Sequence, residues 1–567
     1  MKNRLLTCIL SLFVCSYTFA QLSTNEKPIS FDKDLTLHVK KKSEVPVAIM
    51  PHLDMEAIEK EDKEDEGHDM PPRFGYQHWV DYNLNNSGIW YELPNGDKLW
   101  QLNVVCPNAL SVNFCYDKFW IPEGGKLFVY SKDKKQSIGA FTSKNNKSDR
   151  DNIRGFATGL IYGSDVIMEY YQPKEVAIDA IISIDCVVHG YKYINFGERG
   201  LGDAGSCMVN VNCEEGENWQ FEKNAVARII LQGAYYCSGS LITTTALNEE
   251  PLFLTADHCT ASVSKDAMYD NSLDYTFFCW HYETPGCINV SIEPTYYTTS
   301  GATIIANNSY SDFALLRLTE DPRELSSYTP FYLGWDRSGQ SGMPGVCIHH
   351  PKGDVKKIST VAYQPVSTYY LDYTENISAN HWKIIWKTTQ NGHGTTEGGS
   401  SGSPLLSAGH KVIGQLHGGY ANCGDSILAP DWYGKFNVSW NGNNNSSIYR
   451  RLNCWIDSLN TNVQSMEGLL IIPTACTITN QQLYSNIRIT STGQLTVQSN
   501  IELMGNSRVI VEAGGKLVIN GGTLSNADLI LKSGASLRII NGGTIETRNG
   551  FEAPVGALVD IEYGQIL

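Results

Sequence analysis

The sequence predicts a mainly β chain of several domains, and three observations carry that expectation. Gly (50) and Tyr (30) are abundant in a chain of 567 residues, and charged residues make up only 18%, a composition that favours strands and turns over long helices. Short alternating apolar and polar runs, separated by Pro/Asn/Gly turns, fill the first third. The last hundred residues repeat with a period of about 21. A chain of this length is too long for one core and divides into roughly three or four domains.

The N-terminus has the pattern of an export signal over 1–20. Lys2 and Arg4 precede an apolar run over 5–14, and small residues end it at Ala20. The run is too short for a mature membrane span, and no later stretch is apolar enough to cross a bilayer. Val14 precedes Cys15, which does not suit a lipid anchor. The expected location is therefore outside the cytoplasm, secreted or at the cell surface. Two of the 15 cysteines lie in the leader, and the remaining odd number leaves at least one unpaired if the rest bond within the chain. The net charge of −16 argues against nucleic acid and against anionic membranes as partners.

Residues 21–73 read as an acidic linker or pro-segment, ending in a charge run that includes Glu56, Glu61, Asp62 and Glu66. From 74 to 190 come the strand patterns Gly88-Ile-Trp-Tyr-Glu-Leu, Lys98-Leu-Trp-Gln-Leu-Asn-Val-Val and Gly125-Lys-Leu-Phe-Val-Tyr, which predict a β-sandwich. Cys106 and Cys115 are candidates for closing a short loop there. The polar, glycine-rich stretch within 191–206 is an exposed processing linker, with Arg199 the candidate cleavage site. In 463–567, Leu495, Leu517, Leu537 and Leu558 hold equivalent places in the repeat, and Asn520-Gly-Gly and Asn541-Gly-Gly mark recurring turns. One repeat buries too little apolar surface to fold alone, so a short parallel β-solenoid is expected, with an ordinary sandwich as the alternative.

Chemistry concentrates in 207–462. A serine hydroxyl becomes a nucleophile when a base takes its proton and backbone donors hold the oxyanion. Glu397-Gly-Gly-Ser-Ser-Gly-Ser-Pro404 supplies such a setting for Ser401, with the N–H groups of Gly399 and Ser401 as the oxyanion hole. Leu252-Phe-Leu-Thr-Ala-Asp-His-Cys259 is an apolar strand running into a small-residue turn that presents His258, and Cys237 is the natural partner to tie that turn down through Cys259. Ser311-Asp-Phe places Asp312 at the entry to another apolar strand, where a carboxylate can orient the imidazole. The order His258, Asp312, Ser401 is that of the two-barrel, chymotrypsin-like arrangement.

Residues 203–460 resemble the lysyl endopeptidase family of serine proteases. The resemblance is carried by Gly205-Ser-Cys207 with Cys213, Phe253-Leu-Thr-Ala with His258-Cys259, Ser311-Asp-Phe, Gly334-Trp-Asp and Ile348-His-His-Pro351. It continues through Gly399-Ser-Ser-Gly-Ser-Pro404, Gly414-Gln-Leu-His-Gly-Gly419 and Asp431 with Tyr433-Gly434. It implies a chymotrypsin-like double β-barrel protease domain, the disulfides Cys207–Cys423, Cys213–Cys287 and Cys237–Cys259, and Asp431 as the carboxylate that selects a cationic side chain. Lys is implied over Arg, since a compact ammonium suits a shallower pocket than a planar guanidinium. His417 is expected beside the triad and pocket. The family stacks a tryptophan next to the base, whereas the corresponding stretch here, Ser367-Thr-Tyr-Tyr-Leu-Asp-Tyr373, offers tyrosines.

No cofactor is expected, and no metal: His349-His350 has no third ligand at zincin spacing, no HExxH occurs, and the pair reads as structural. The partners are protein or peptide substrates with Lys at P1, and the tail is a candidate for contact with the cell surface or secretion machinery. Two other readings fit less of the sequence. One is a protease for Lys and Arg alike, and the other is a surface-binding protein with a vestigial protease domain. No Lys lies between Lys192 and Cys207, so processing there requires cleavage at Arg199 or a second protease.

Overall fold

The computed structural model describes residues 26–32, 44–65, 70–194, 204–260, 273–290, 293–325, 328–424, 428–479 and 482–567. The export signal, Arg199 and most of the processing linker lie outside them. The chain is mainly β, as its composition implies.

The N-terminal region is a sandwich of two sheets. Lys98–Val105, Asp165–Gln172 and Lys126–Ser131 form the centre of one, and Gly75–Asn83, Ile181–Gly190 and Ser111–Trp120 form the other. Their inner faces bury Trp100, Leu102, Val112, Phe114, Leu127, Met168 and Tyr170 in one core, which is why alternate positions of these strands are apolar. The sandwich extends into the segment that reads as a linker. Val47–Ile49 pairs in parallel with Lys98–Val105, and the charge run forms the helix Met55–Asp65, with Ile58 buried. Cys106 and Cys115 are not bonded to each other; Cys115 instead faces Cys186 across the Ser111–Trp120 and Ile181–Gly190 pair.

The central region divides into two halves, each built on an antiparallel sheet. The first runs in the order Tyr297–Ser300, Phe277–Trp280, Val226–Leu231, Tyr235–Leu241, Leu252–Thr255, Phe313–Leu318, Ala302–Asn308. The second includes Lys357–Thr360, Val346–His349, Pro404–Leu406, Lys411–Gly419, Asp431–Lys435 and His381–Ile384 as consecutive neighbours. This is the predicted two-barrel domain. The three bridges implied by the family resemblance are all present: Cys207–Cys423, Cys213–Cys287 and Cys237–Cys259.

The tail is a parallel solenoid. Ala475–Ile478, Gln494–Val497, Lys516–Asn520, Ser536–Ile540 and Leu558–Glu562 stack in register, placing Leu495 over Leu517 over Leu537, all fully buried. The last rung departs from the expected register: Val559, not Leu558, continues the leucine stack, and Leu558 is exposed. Asn541 Nδ2 donates to Asn520 Oδ1 at 2.7 Å, so the recurring Asn-Gly-Gly turns form a small ladder. The solenoid docks on the central domain through Phe331–Tyr332, which pairs with Gly468–Ile472, and through Arg488, which donates to the Leu247 carbonyl and pairs with Glu249.

Candidate active site

His258 and Asp312 are in direct contact, and the Ser401 carbonyl lies against Ser238 and Cys259 beside them. The apolar strand Leu252–Thr255 runs into the helical turn Asp257–Thr260, and the Cys237–Cys259 bridge fixes that turn to the neighbouring strand. His258 is thereby buried with its ring held in place. Its Nδ1–H donates to Asp312 Oδ2 at 2.8 Å, and its backbone N–H donates to Asp312 Oδ1 at 3.0 Å. Both carboxylate oxygens are thus committed to one residue, which leaves the imidazole little rotational freedom.

Asp312 has a φ of +52°, a left-handed conformation that costs a non-glycine residue about 1 kcal/mol or more and is tolerated best by Asp and Asn. Gln415 Nε2 donates to the carbonyl of Ser311 at 2.7 Å and braces the turn. Burial alone raises the Asp312 carboxyl; the adjacent His258 and His417 charges and the two His258 hydrogen bonds outweigh it, holding the carboxyl below its usual range.

Ser401 lies in a loop whose backbone is locked on both sides. Its carbonyl accepts from Ser238 N–H at 2.9 Å, and Ser238 Oγ donates to the Gly399 carbonyl at 2.8 Å. Gly399 has a φ of +93°, and a Cβ there would stand 2.5 Å from the Tyr236 ring, so only glycine fits. His349 Nδ1 lies 2.7 Å from Ser400 Oγ and its Nε2 lies 3.1 Å from Ser359 Oγ, a support beneath the loop.

His417 belongs to the strand Lys411–Gly419 at the point where its register against Asp431–Lys435 slips, an irregularity that re-aims side chains. It stands 3.8 Å from Asp312 Oδ2, and its ring is 5.8 Å from that of His258. Of the tyrosines in 367–373, Tyr370 stacks on it, with centroids 3.6 Å apart and planes 6° from parallel. His381 is a contact the sequence reading missed: its Nε2 lies 2.9 Å from His417 Nδ1.

Asp431 is fully buried at the start of Asp431–Lys435. Its Oδ2 accepts from Trp386 Nε1 at 2.7 Å and from Thr396 Oγ1 at 2.6 Å, and its Oδ1 accepts from Ala421 N–H at 3.2 Å. Burial pushes the carboxyl up to about 6, against the pull of those hydrogen bonds. Trp386 and Thr396 carry no motif, and only the fold brings them here.

An extended segment from the N-terminal region reaches this site. Tyr236 N–H donates to the Pro72 carbonyl at 3.2 Å, Arg73 bridges Tyr235 in antiparallel sense, and Phe74 N–H donates to the Ala234 carbonyl at 2.9 Å. A Cβ on Gly398 would come within 2.9 Å of Pro72 Cγ. Arg73 is anchored behind by Glu61 and Asp62 of the acidic helix.

Residues 201–434 match the family described as lysyl endopeptidase, C-terminal domain. A lysyl endopeptidase of Pseudomonas aeruginosa is 29% identical over 244 residues, covering 40% of this chain and 48% of that protein, so the chain spans about half the length of the curated relative it matches. Among solved structures, a Mycobacterium tuberculosis protein in an inactive form aligns at 15% identity with a TM-score of 0.24, covering 38% of this chain and 82% of the other. A thermostable serine protease from an extremophilic microorganism aligns at 13% identity with a TM-score of 0.24, covering 38% and 92%. By sequence, residues 201–434 are thus similar to the lysyl endopeptidase family.

Proposed function

We propose that the chain is the precursor of an exported serine endopeptidase that cuts after lysine. The observation that carries this is the buried His258–Asp312 pair, with the carbonyl of Ser401 in its glycine-locked loop 3.8 Å from Cys259 Sγ, the residue next to His258. Ser401 Oγ attacks the scissile carbonyl and gives its proton to His258 Nε2, while Asp312 holds Nδ1–H and stabilises the imidazolium. The N–H groups of Gly399 and Ser401 receive the oxyanion. Collapse breaks the C–N bond as His258 protonates the leaving amine. Water, deprotonated by His258, then releases the acyl group and restores Ser401.

The donors around Asp431 support Lys over Arg. Two of them occupy Oδ2, leaving Oδ1 as the oxygen with spare capacity. A single acceptor suits a compact ammonium, whereas a guanidinium gains most from a bidentate pair of oxygens.

The strand at 71–74 supports a zymogen. It runs antiparallel to the start of the strand Tyr235–Leu241, which carries Cys237 of the Cys237–Cys259 bridge, and lies against Gly398 of the Ser401 loop. That is where the leaving-group half of an extended peptide pairs with the enzyme, and Pro71 and Pro72 make the segment itself a poor bond to cut. A break within 195–203 leaves this strand in place.

One substrate panel tests these readings together. After nicking within 195–203, the chain hydrolyses a lysyl anilide, hydrolyses the arginyl anilide at least about 100-fold more slowly, and spares peptides extending three residues beyond the scissile bond until the N-terminal region dissociates. Equal rates on Lys and Arg contradict the pocket reading. Equal turnover of short and extended substrates by the nicked complex contradicts the strand reading.

A further inference from the structure

The N-terminal sandwich carries two thiols on the face that meets the central domain. Cys115 and Cys186 stand directly opposite each other in the antiparallel pair Ser111–Trp120 and Ile181–Gly190. The register slips just before Cys186, and from there Cys186–Cys115, Val187–Phe114 and Val188–Asn113 run in step. Opposed residues of such a pair have Cα atoms about 4.5–5.5 Å apart, within the about 4.4–6.8 Å that a disulfide spans. Side chains alternate along a strand, so Phe114 and Tyr116 join the inner core while Cys115 points the other way. There both cysteines are fully buried, packed with Val188 and with Ala234 of the central domain. Cys106, the third thiol of the sandwich, belongs to the inner core instead.

We propose that Cys115 and Cys186 are the reduced form of a further disulfide, and that this bond locks the N-terminal region in place as the inhibitor of the nicked enzyme. The bond stands apart from the zymogen reading, and only its consequence rests on it. In forming it, the two thiols give up two protons and two electrons to a disulfide donor, which leaves as two thiols. A chain that holds Cys207–Cys423, Cys213–Cys287 and Cys237–Cys259 folds where such donors act. The docked structure seals the pair: Cys115 Sγ lies 4.0 Å from the Gln232 carbonyl, and a Cβ on Gly233 would stand 3.1 Å from it. The adjacent Cys186 thiol and burial push the Cys115 thiol well above its ordinary value, which keeps it neutral and slow to exchange. The bond therefore forms as the sandwich folds, before this face closes on the central domain.

The position of the pair gives the bond its effect. Around it, Gln77 Nε2 donates to the Gln232 carbonyl at 2.8 Å, Asn113 Nδ2 to the Gly233 carbonyl at 3.2 Å, and Tyr275 OH to Asp185 Oδ2 at 2.7 Å. The sheet that carries the thiols is thus the sheet that grips the central domain. Its strand Ile181–Gly190 also pairs with Gly75–Asn83, the continuation of the segment 71–74 at the Ser401 loop. A tie between Ser111–Trp120 and Ile181–Gly190 closes a long loop and removes unfolded conformations in which this sheet is open. Without the tie, opening of the sheet releases the strand that continues from 71–74.

The test starts with the full chain, expressed in an oxidising compartment, denatured in an alkylating agent and mapped without reduction. One peptide pair is expected to be joined through Cys115 and Cys186 and to weigh two hydrogens less than its parts. Cys115 and Cys186 both recovered alkylated overturn the bond. The nicked complex is then exposed to a broad-specificity protease. The N-terminal fragment is lost about 10-fold faster from Cys115→Ala, from Cys186→Ala and from the double variant alike, because either change removes the whole bond. Loss at the parent rate overturns the lock. A double variant whose effect is the product of the two single effects reports lost packing rather than a lost bond, and overturns it too. A parent that hydrolyses no lysyl ester fails the protease reading, and the peptide map still decides the bond.

Discussion

Asp312→Asn lowers kcat by about 10⁴ and leaves KM within a few-fold. Asp312 accepts from both the backbone N–H and Nδ1–H of His258, so its two oxygens define the tautomer and the angle of the ring. An asparagine that keeps the backbone contact through its oxygen turns an NH₂ group toward Nδ1. The imidazole then protonates at Nε2 and can no longer accept the Ser401 proton. The loss is chemical rather than structural, because asparagine tolerates the left-handed backbone at 312 as aspartate does. Steady-state kinetics on a lysyl ester, with thermal unfolding to confirm an unchanged fold, measure it. A loss below about tenfold contradicts the assigned role.

Asp431→Asn lowers kcat/KM for lysyl substrates by about 10³, the scale expected for an ammonium bound in a dry site without its counter-charge. Trp386 and Thr396 can still donate to an amide oxygen in the Oδ2 position, and only the weaker 3.2 Å contact from Ala421 N–H to Oδ1 is given up, so most of the loss falls on the charge. The same site carries a pH signature. Burial raises the Asp431 carboxyl to about 6, so below that pH the group is neutral and KM for lysine rises; above it the anion is present and KM is flat. In the asparagine variant this rise disappears. Arginyl and lysyl substrates compared in parallel from pH 4.5 to 8 show whether the selectivity travels with that charge.

Much of the site was legible because its chemistry sits in short runs. Gly399 through Ser403, Ala256 through Cys259, and Ser311-Asp312 each announce a backbone constraint as well as a side chain, and the structure locks those backbones with positive φ angles and buried hydrogen bonds. Trp386, Thr396 and His381 were not legible. Each is unremarkable in its own strand or loop and gains its meaning only when Asp431–Lys435 pairs with His381–Ile384 and packs beside Lys411–Gly419. The solenoid was readable from its leucines as far as Leu537, on which Val559 rather than Leu558 stacks. The acidic segment read as a tether by composition, yet Asp62 and Glu61 hold Arg73, and Arg73 belongs to the strand lying at the Ser401 loop. Charge composition reports solvation and does not reveal a partner supplied by another part of the chain.

The most direct test of the central claim is peptide-level mass spectrometry of the matured enzyme after reaction with a lysine-mimicking diphenyl phosphonate. The account predicts one adduct, on Ser401, formed faster than with the arginine mimic and abolished by Asp312→Asn or by prior occupancy with a lysyl ligand. An unreacted Ser401, or an adduct formed on Ser400 or Ser403 instead, would contradict it.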